Sequence, residues 1–201
     1  MNTRSNPLDA LSYGEDATLA RLHERLATEA AAEGLLDVAY RTVDTPVGSL
    51  LLAATDRGLV RVAYEREGHD AVLATLAERV SPRILASPER LDDVAYELDE
   101  YFAGTRSAFD LPLDRRLSSG FRREVQSHLA DIAYGSTMSY ADMARLVGNP
   151  KAVRAVGSAC ATNPLPVVVP CHRVVRSDGT PGGYAGGPDA KLALLGLEAA
   201  A

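Results

Sequence analysis

The segment Val167-Val168-Val169-Pro170-Cys171-His172-Arg173-Val174-Val175 constrains this chain more than any other. A continuous β-branched run ending in proline reads as a buried strand leading into a tight turn. Cys171 and His172 stand at its end. A free thiol titrates near ~8.5 and is mostly inert at neutral pH, whereas a base or positive charge beside it makes it a nucleophile. His172 can take the proton, directly or through one water. A carboxylate on the far ring nitrogen would fix the tautomer and support a charged imidazole. The residue types alone leave alternatives open, since a buried cysteine is usually a small hydrophobe and a neighbouring histidine often structural. Zinc gains no support, because His23, His69 and His128 show no ligand spacing with the pair.

The chain has 201 residues, enough for one large domain or two small ones. Its two cysteines, Cys160 and Cys171, cannot build a disulfide framework or a four-thiolate zinc site. A free thiol suits a reducing compartment. Met1–Ala10 is polar and lacks the apolar core of a signal peptide, and no apolar run approaches the roughly 18 residues of a membrane span. A cytoplasmic location without membrane partners is the default expectation. The net charge of −6 argues against a polyanionic partner, but its distribution does not. Residues 1–114 carry 11 Lys and Arg against 21 Asp and Glu, and residues 115–201 carry 10 against 6. Only the second half is electrostatically suited to nucleic acid.

Residues 16–34 read as a helix, with Leu19, Leu22 and Leu26 at helical spacing and Gly34 as its stop. Residues 1–40 form an extension outside the main fold. Arg41–Asp44, Ser49–Thr55 and Leu59–Tyr64 read as strands joined by turns at Pro46–Gly48 and Asp56–Gly58. Helices are expected over Asp70–Val80 and Pro88–Ala103, and Phe109–Asp114 reads as an extended piece or linker. A boundary near Arg115 divides a β-rich domain, 41–114, from a mostly helical one, 115–201. The latter opens with an amphipathic helix, Phe121–Ala133, that sets Phe121, Val125, Leu129 and Ile132 on one face.

Ser139-Tyr140-Ala141-Asp142 has the spacing of a capping box. Gly148 ends the helix that it opens, Asn149 can cap a second helix, and Pro150 suits that helix's first position. The second helix, reaching about Ala161, has Ala152, Ala155, Val156 and Ala159 as its buried stripe, with Lys151, Arg154 and Ser158 opposite. Two helices joined by a short glycine-containing turn resemble a helix-turn-helix, and its exposed cations can contact phosphate.

Taken together, Asn163-Pro164, Pro170-Cys171-His172-Arg173-Val174 and Gly183-Tyr184-Ala185-Gly186-Gly187 resemble the O6-alkylguanine-DNA alkyltransferases, also called methylated-DNA–protein-cysteine methyltransferases. Gly135, Ser139-Tyr140, Gly148-Asn149-Pro150 and Ala152-Val153-Arg154-Ala155-Val156-Gly157 fit the same pattern. The resemblance is strong from Phe121 to Glu198 and weaker back to Arg41. It implies an α+β fold, with a small ribonuclease H-like N-terminal domain and a mainly helical C-terminal domain carrying the helix-turn-helix and the cysteine.

The resemblance also implies roles. Cys171 is the acceptor, His172 its base through a bound water, and Glu198 the carboxylate that orients the histidine. The protein binds double-stranded DNA containing O6-alkylguanine and flips the damaged nucleotide out, because a stacked base cannot bring its alkyl carbon to a buried thiol. Arg154 fills the gap in the stack, with Lys151 and Ser158 on the same DNA-facing side. Tyr140 contacts the flipped base and assists its departure. Asn163 holds the turn before the cysteine, and Tyr184 walls the alkyl pocket. The Cys171 and Val174 carbonyls accept from guanine's exocyclic amine. The thioether product implies a single turnover, with no cofactor, no metal and no need for more than a monomer. Ala185 stands where some members place a hydroxyl, leaving its backbone N–H to serve. Gln126 stands where many place tryptophan, and Pro188 is expected to stiffen the pocket loop. A non-catalytic protein that recognises alkylated DNA is the alternative, and the presence of Cys171, His172 and Glu198 argues against it.

Overall fold

A computed structural model describes residues 7–199. Met1 to Asn6, most of the polar start considered above, lie outside the described residues. The first helix, α1 (Pro7–Ala32), begins earlier than its sequence pattern suggests. Gly34 follows it, and the Leu35 N–H closes its end on the Ala30 carbonyl at 2.7 Å. Ala27 packs inward while Leu19, Leu22 and Leu26 are all exposed. The leucine spacing marks a helix here, not its packed face.

The three expected strands form: β1 (Val38–Thr45), β2 (Gly48–Thr55) and β3 (Gly58–Tyr64), joined by two antiparallel hairpins. A fourth strand that the sequence did not betray, β4 (Ile84–Ala86), pairs parallel to β1 and gives the order β3-β2-β1-β4. β2 is apolar without alternation because both sheet faces are covered. Leu51 and Ala53 pack with Val72 and Leu76 of α2 (His69–Arg79). Leu50, Leu52 and Ala54 face the larger core, with Leu98 and Tyr101 of α3 (Asp92–Phe102). Each fully buried leucine contributes roughly 1.5–3 kcal/mol to this packing. The helix expected over Pro88–Ala103 splits, since Pro88–Leu91 makes a tighter 3-10 turn before α3.

Phe109–Asp114 runs beside β3. The Leu59 N–H donates to the Pro112 carbonyl, and the Asp114 N–H donates back to the Leu59 carbonyl. The larger core then continues without a break into the helical half. This half comprises α4 (Gly120–His128), β5 (Met138–Ser139), α5 (Tyr140–Leu146), α6 (Val153–Ala161), β6 (Val174–Val175) and α7 (Gly187–Ala199). The helix expected over Phe121–Ala133 ends at His128, and a 3-10 turn, Leu129–Asp131, follows it. Of the expected face, Val125, Leu129 and Ile132 are buried and Phe121 is half-buried. β5 and β6 form a two-residue parallel pair.

Three local expectations need correction. Val167–Val169 is buried but is not a strand. Prolines at 164, 166 and 170 remove the donors that a strand needs. The Val169 N–H turns back to the Leu165 carbonyl at 2.8 Å, and Val167 sits at φ 71°. A left-handed β-branched residue is held there only by its surroundings. Second, Asn149 does not cap α6. Its N–H donates to the Ala144 carbonyl at 2.9 Å, helping Gly148 (φ 71°) close α5. The helix consequently starts at Val153, Lys151 lies in the preceding turn, and Ala155 is exposed rather than part of the buried stripe. Third, Pro188 stiffens no loop, because it lies in the first turn of α7, where a missing N–H costs little.

Candidate active site

Cys171 opens a single 3-10 turn, Cys171–Arg173, at the end of the folded-back valine segment. Its side chain is 1% exposed. Asn163 ties the two segments together. Its Nδ2 donates to the Val169 carbonyl at 2.8 Å and to Cys171 Sγ at 3.2 Å, while its Oδ1 accepts from the Leu165 N–H at 3.1 Å. Asn163 thus holds the turn and places one donor on the sulfur. Burial nevertheless pushes the thiol up to about 11, against the Asn163 hydrogen bond and the Lys191 charge, which favour the thiolate. A thiol so placed stays protonated at neutral pH until a base removes its proton.

His172, also fully buried, carries that base. Its Nε2 lies 2.9 Å from Glu198 Oε1. An ionised carboxylate only accepts, so Nε2 carries the proton and Nδ1 is a free lone pair. Nδ1 is buried and has no hydrogen-bond partner among the described residues. Burial holds the imidazole below its ordinary pKa, against the opposing pull of Glu198. Burial alone would raise Glu198, but hydrogen bonds from His172 and Arg173 outweigh it and hold the carboxyl at about 2.

Glu198 is the most heavily bonded side chain here. The Arg173 fork grips it, with Nε 2.9 Å from Oε2 and Nη2 2.9 Å from Oε1, while Arg173 Nη1 donates to the Ile132 carbonyl at 2.6 Å. The Tyr101 hydroxyl donates to Oε1 at 2.7 Å. Sequence reasoning assigned no role to Arg173 or Tyr101. Arg173 lies inside the cysteine motif and was open to notice. Tyr101 comes from α3, 97 residues from Glu198, and only the folded chain brings it near.

Lys191 was also missed. It is fully buried, donates to the Val174 carbonyl at 2.6 Å, and stands 5.8 Å from the Tyr140 ring centre. The carbonyl that the resemblance assigns to guanine's amine therefore already has one donor, and its second lone pair is free to accept another. Lys191, Leu194 and Glu198 follow one another at three and four residues, one face of α7, which is a legible signal for two inward charges. Tyr140 is half-buried, and burial pushes its phenol up to about 12, so its hydroxyl stays protonated at neutral pH and offers a hydrogen-bond donor. The half-buried Tyr184 ring stands edge-on to His172 at 6.2 Å, and Ala185 beside it is half-buried.

Arg154 and Ser158 of α6, with Lys151 just before it, are exposed. Among the described residues, none pairs with the Lys151 or Arg154 side chain. The Ser139 hydroxyl caps α5 as expected, accepting from the Asp142 N–H at 3.0 Å. Gln126 is buried and satisfied, donating to the Ala159 carbonyl at 2.9 Å and accepting from the Ser118 hydroxyl.

A family model described as the ribonuclease-like domain of 6-O-methylguanine DNA methyltransferase matches residues 38–115, and one for the DNA-binding domain of the same family matches residues 120–200. The chain belongs to the 6-O-methylguanine DNA methyltransferase family. The methylated-DNA–protein-cysteine methyltransferase of Mycolicibacterium paratuberculosis is 41% identical over 161 residues, covering 80% of this chain and 92% of that protein. The constitutive Bacillus subtilis enzyme of the same name is 39% identical, covering 79% and 94%. The solved structure of Mycobacterium tuberculosis O6-methylguanine methyltransferase superposes with a TM-score of 0.71 at 36% identity, covering 81% of this chain and 93% of that one. Another structure of the Mycobacterium tuberculosis protein, in complex with DNA, gives 0.69 at the same identity, with the same shares covered. α1 lies wholly before the first residue that these family models match.

Proposed function

We propose that this chain repairs DNA by transferring an alkyl group from O6-alkylguanine to Cys171, once per molecule. The observation that carries the reading is the buried Cys171 thiol beside a histidine whose free Nδ1 is backed by an ionised carboxylate.

The chemistry follows from the site. The Cys171 proton passes to His172 Nδ1, directly or through one water. Glu198 and the Arg173 fork hold the ring, and the carboxylate stabilises the imidazolium as it forms. The Asn163 amide stabilises the growing thiolate. Sulfur then attacks the alkyl carbon, the S–C bond forms and the C–O6 bond breaks. The electron pair leaves with guanine, which takes a proton from the Tyr140 hydroxyl, and solvent restores that proton. The thioether has no route back, so the protein is consumed.

Delivery of the base calls for extrusion from the duplex. Arg154 enters the vacated stack, and Lys151 and Ser158 contact the backbone on the same side. The Cys171 and Val174 carbonyls read the exocyclic amine, the Ala185 N–H meets the guanine oxygen, and Tyr184 walls the alkyl group. A reactive thiol suits a reducing cytoplasm, and a monomer suffices for every step. No helix of the described residues is long and apolar enough to cross a membrane.

The test is intact mass after incubation with a duplex containing O6-methylguanine, followed by peptide mapping. The expected result is one added methylene on the Cys171 peptide, saturating at one per protein and absent in Cys171→Ser. Tight binding without mass gain would replace this reading with non-catalytic recognition of alkylated DNA.

A further inference from the structure

Two tyrosines from opposite halves of the molecule meet beside the acceptor. Tyr64 ends β3 and is 3% exposed. Tyr184 lies in the glycine-rich segment just before α7. Their hydroxyls are 3.1 Å apart, and the rings pack edge-on with centroids 5.7 Å apart. The segment's backbone rests directly on Tyr64. A Cβ added at Gly186 would fall 2.6 Å from Tyr64 Cζ and 2.7 Å from Cε1, so no other residue fits there without displacing the ring. Tyr64 is itself fixed from below, because its N–H donates to Glu67 Oε1 at 2.9 Å.

Tyr184 in turn stands against His172, the neighbour of the thiol. Burial raises both phenols, and a charge forming on Cys171 raises them further. In the reaction proposed above, an alkyl group in transit lies between the sulfur and the base. The walls nearest the sulfur therefore set how large it can be.

We propose that Tyr64, supplied by the N-terminal sheet, is a specificity-determining residue that backs Tyr184 and limits the size of alkyl group reaching Cys171. The inference rests on the proposed alkyl transfer. Tyr64 has two effects: its ring occupies the space into which Tyr184 and Gly186 would retreat, and its hydroxyl bolts Tyr184 in one position. Tyr64→Phe removes only the bolt. Tyr64→Ala removes both. Discrimination by one wall of an apolar pocket is worth about tenfold or more in relative rate.

The experiment measures single-turnover transfer to the full chain from duplexes carrying O6-methylguanine or O6-benzylguanine, read by intact mass. Thermal melting runs alongside. The benzyl-to-methyl rate ratio is expected to rise about threefold in Tyr64→Phe and about tenfold in Tyr64→Ala. Should Tyr64→Ala fail to fold, Tyr64→Phe decides alone, since its ring packing is kept. An unchanged ratio in a folded variant that still transfers methyl overturns the inference and leaves the proposed function standing. A fall in both rates by one factor also overturns it, since that marks a structural role. Absence of transfer by the unsubstituted protein from either duplex would overturn the function and the inference with it.

Discussion

The relay behind Cys171 and the exposed cations on and just before α6 are built by opposite rules. Glu198 accepts from Tyr101, His172 and Arg173, all three buried. Lys151 and Arg154 stand in solvent without partners among the described residues. A charge kept in a buried site must be matched there, because removing one partner leaves the other uncompensated. A charge meant for an external polyanion has to remain unmatched until that polyanion arrives. Relay substitutions should therefore damage stability and chemistry together, whereas α6 substitutions should leave the fold alone.

The sharpest break in that contrast is Glu198→Gln. It strands the Arg173 guanidinium and takes the carboxylate from His172, and is expected to cost about 3–5 kcal/mol of unfolding free energy, with transfer lost as well. Urea unfolding of the variant and the parent at pH 7 measures the first part. A loss under 1 kcal/mol would show that the buried network is as dispensable to the fold as the α6 face. The pH dependence sharpens the point. His172 is held below its ordinary 6.5, so its neutral form stabilises the fold above that pH and the contribution falls away as pH drops. Glu198 is held at about 2 against an ordinary 4.5, so its contribution is full above 4.5 and is lost as pH falls from there towards 2. Unfolding free energy measured from pH 7 downwards should fall in two steps, and the lower one should be smaller in Glu198→Gln. Identical acid profiles would detach Glu198 from acid stability.

The same contrast governs what the sequence disclosed. The exposed cations beside and on α6 were legible from local rules, as were the Ser139 cap and the Gly148 stop of α5, although the start of α6 and the place of Ala155 were misread. The cysteine, its histidine and the distant Glu198 were legible through a family resemblance, not through spacing. Tyr101 and Tyr64 were illegible, since each reaches the site from the sheet half through packing of residues far apart in the chain. The valine run misled for a physical reason. β-branched residues favour strands, but the flanking prolines and the Asn163 bonds favour a folded-back turn that keeps the same residues buried. Burial was read correctly there and conformation was not.

On the exposed side, Arg154→Ala should leave unfolding free energy within about 0.5 kcal/mol of the parent, as for surface substitutions generally. It should still slow transfer from duplex O6-methylguanine by about tenfold to a hundredfold, while transfer from the free alkylated base stays near the parent rate. An inserted side chain stabilises the extruded nucleotide, and unstacking costs a few kcal/mol only when the base starts in a duplex. Equal slowing on both substrates would count against an intercalating role and would return Arg154 to the ordinary solvated surface.

Lys151→Ala has the smallest expected effect and the most diagnostic one. Lys151 lies in the turn that leads into α6, exposed and unpaired among the described residues, so its loss removes nothing that the fold uses. If it neutralises one phosphate, its removal should weaken duplex binding equally for lesion and undamaged DNA and reduce the slope of log affinity against log salt by about 1. A change in the preference for the lesion would instead place Lys151 near the extruded base. An unaltered slope would shift the phosphate contacts elsewhere on the basic half, to Arg122 and Arg123 of α4, which are also exposed. Because no stability term is involved, the salt slope isolates the electrostatic part of DNA binding from everything that the buried relay contributes.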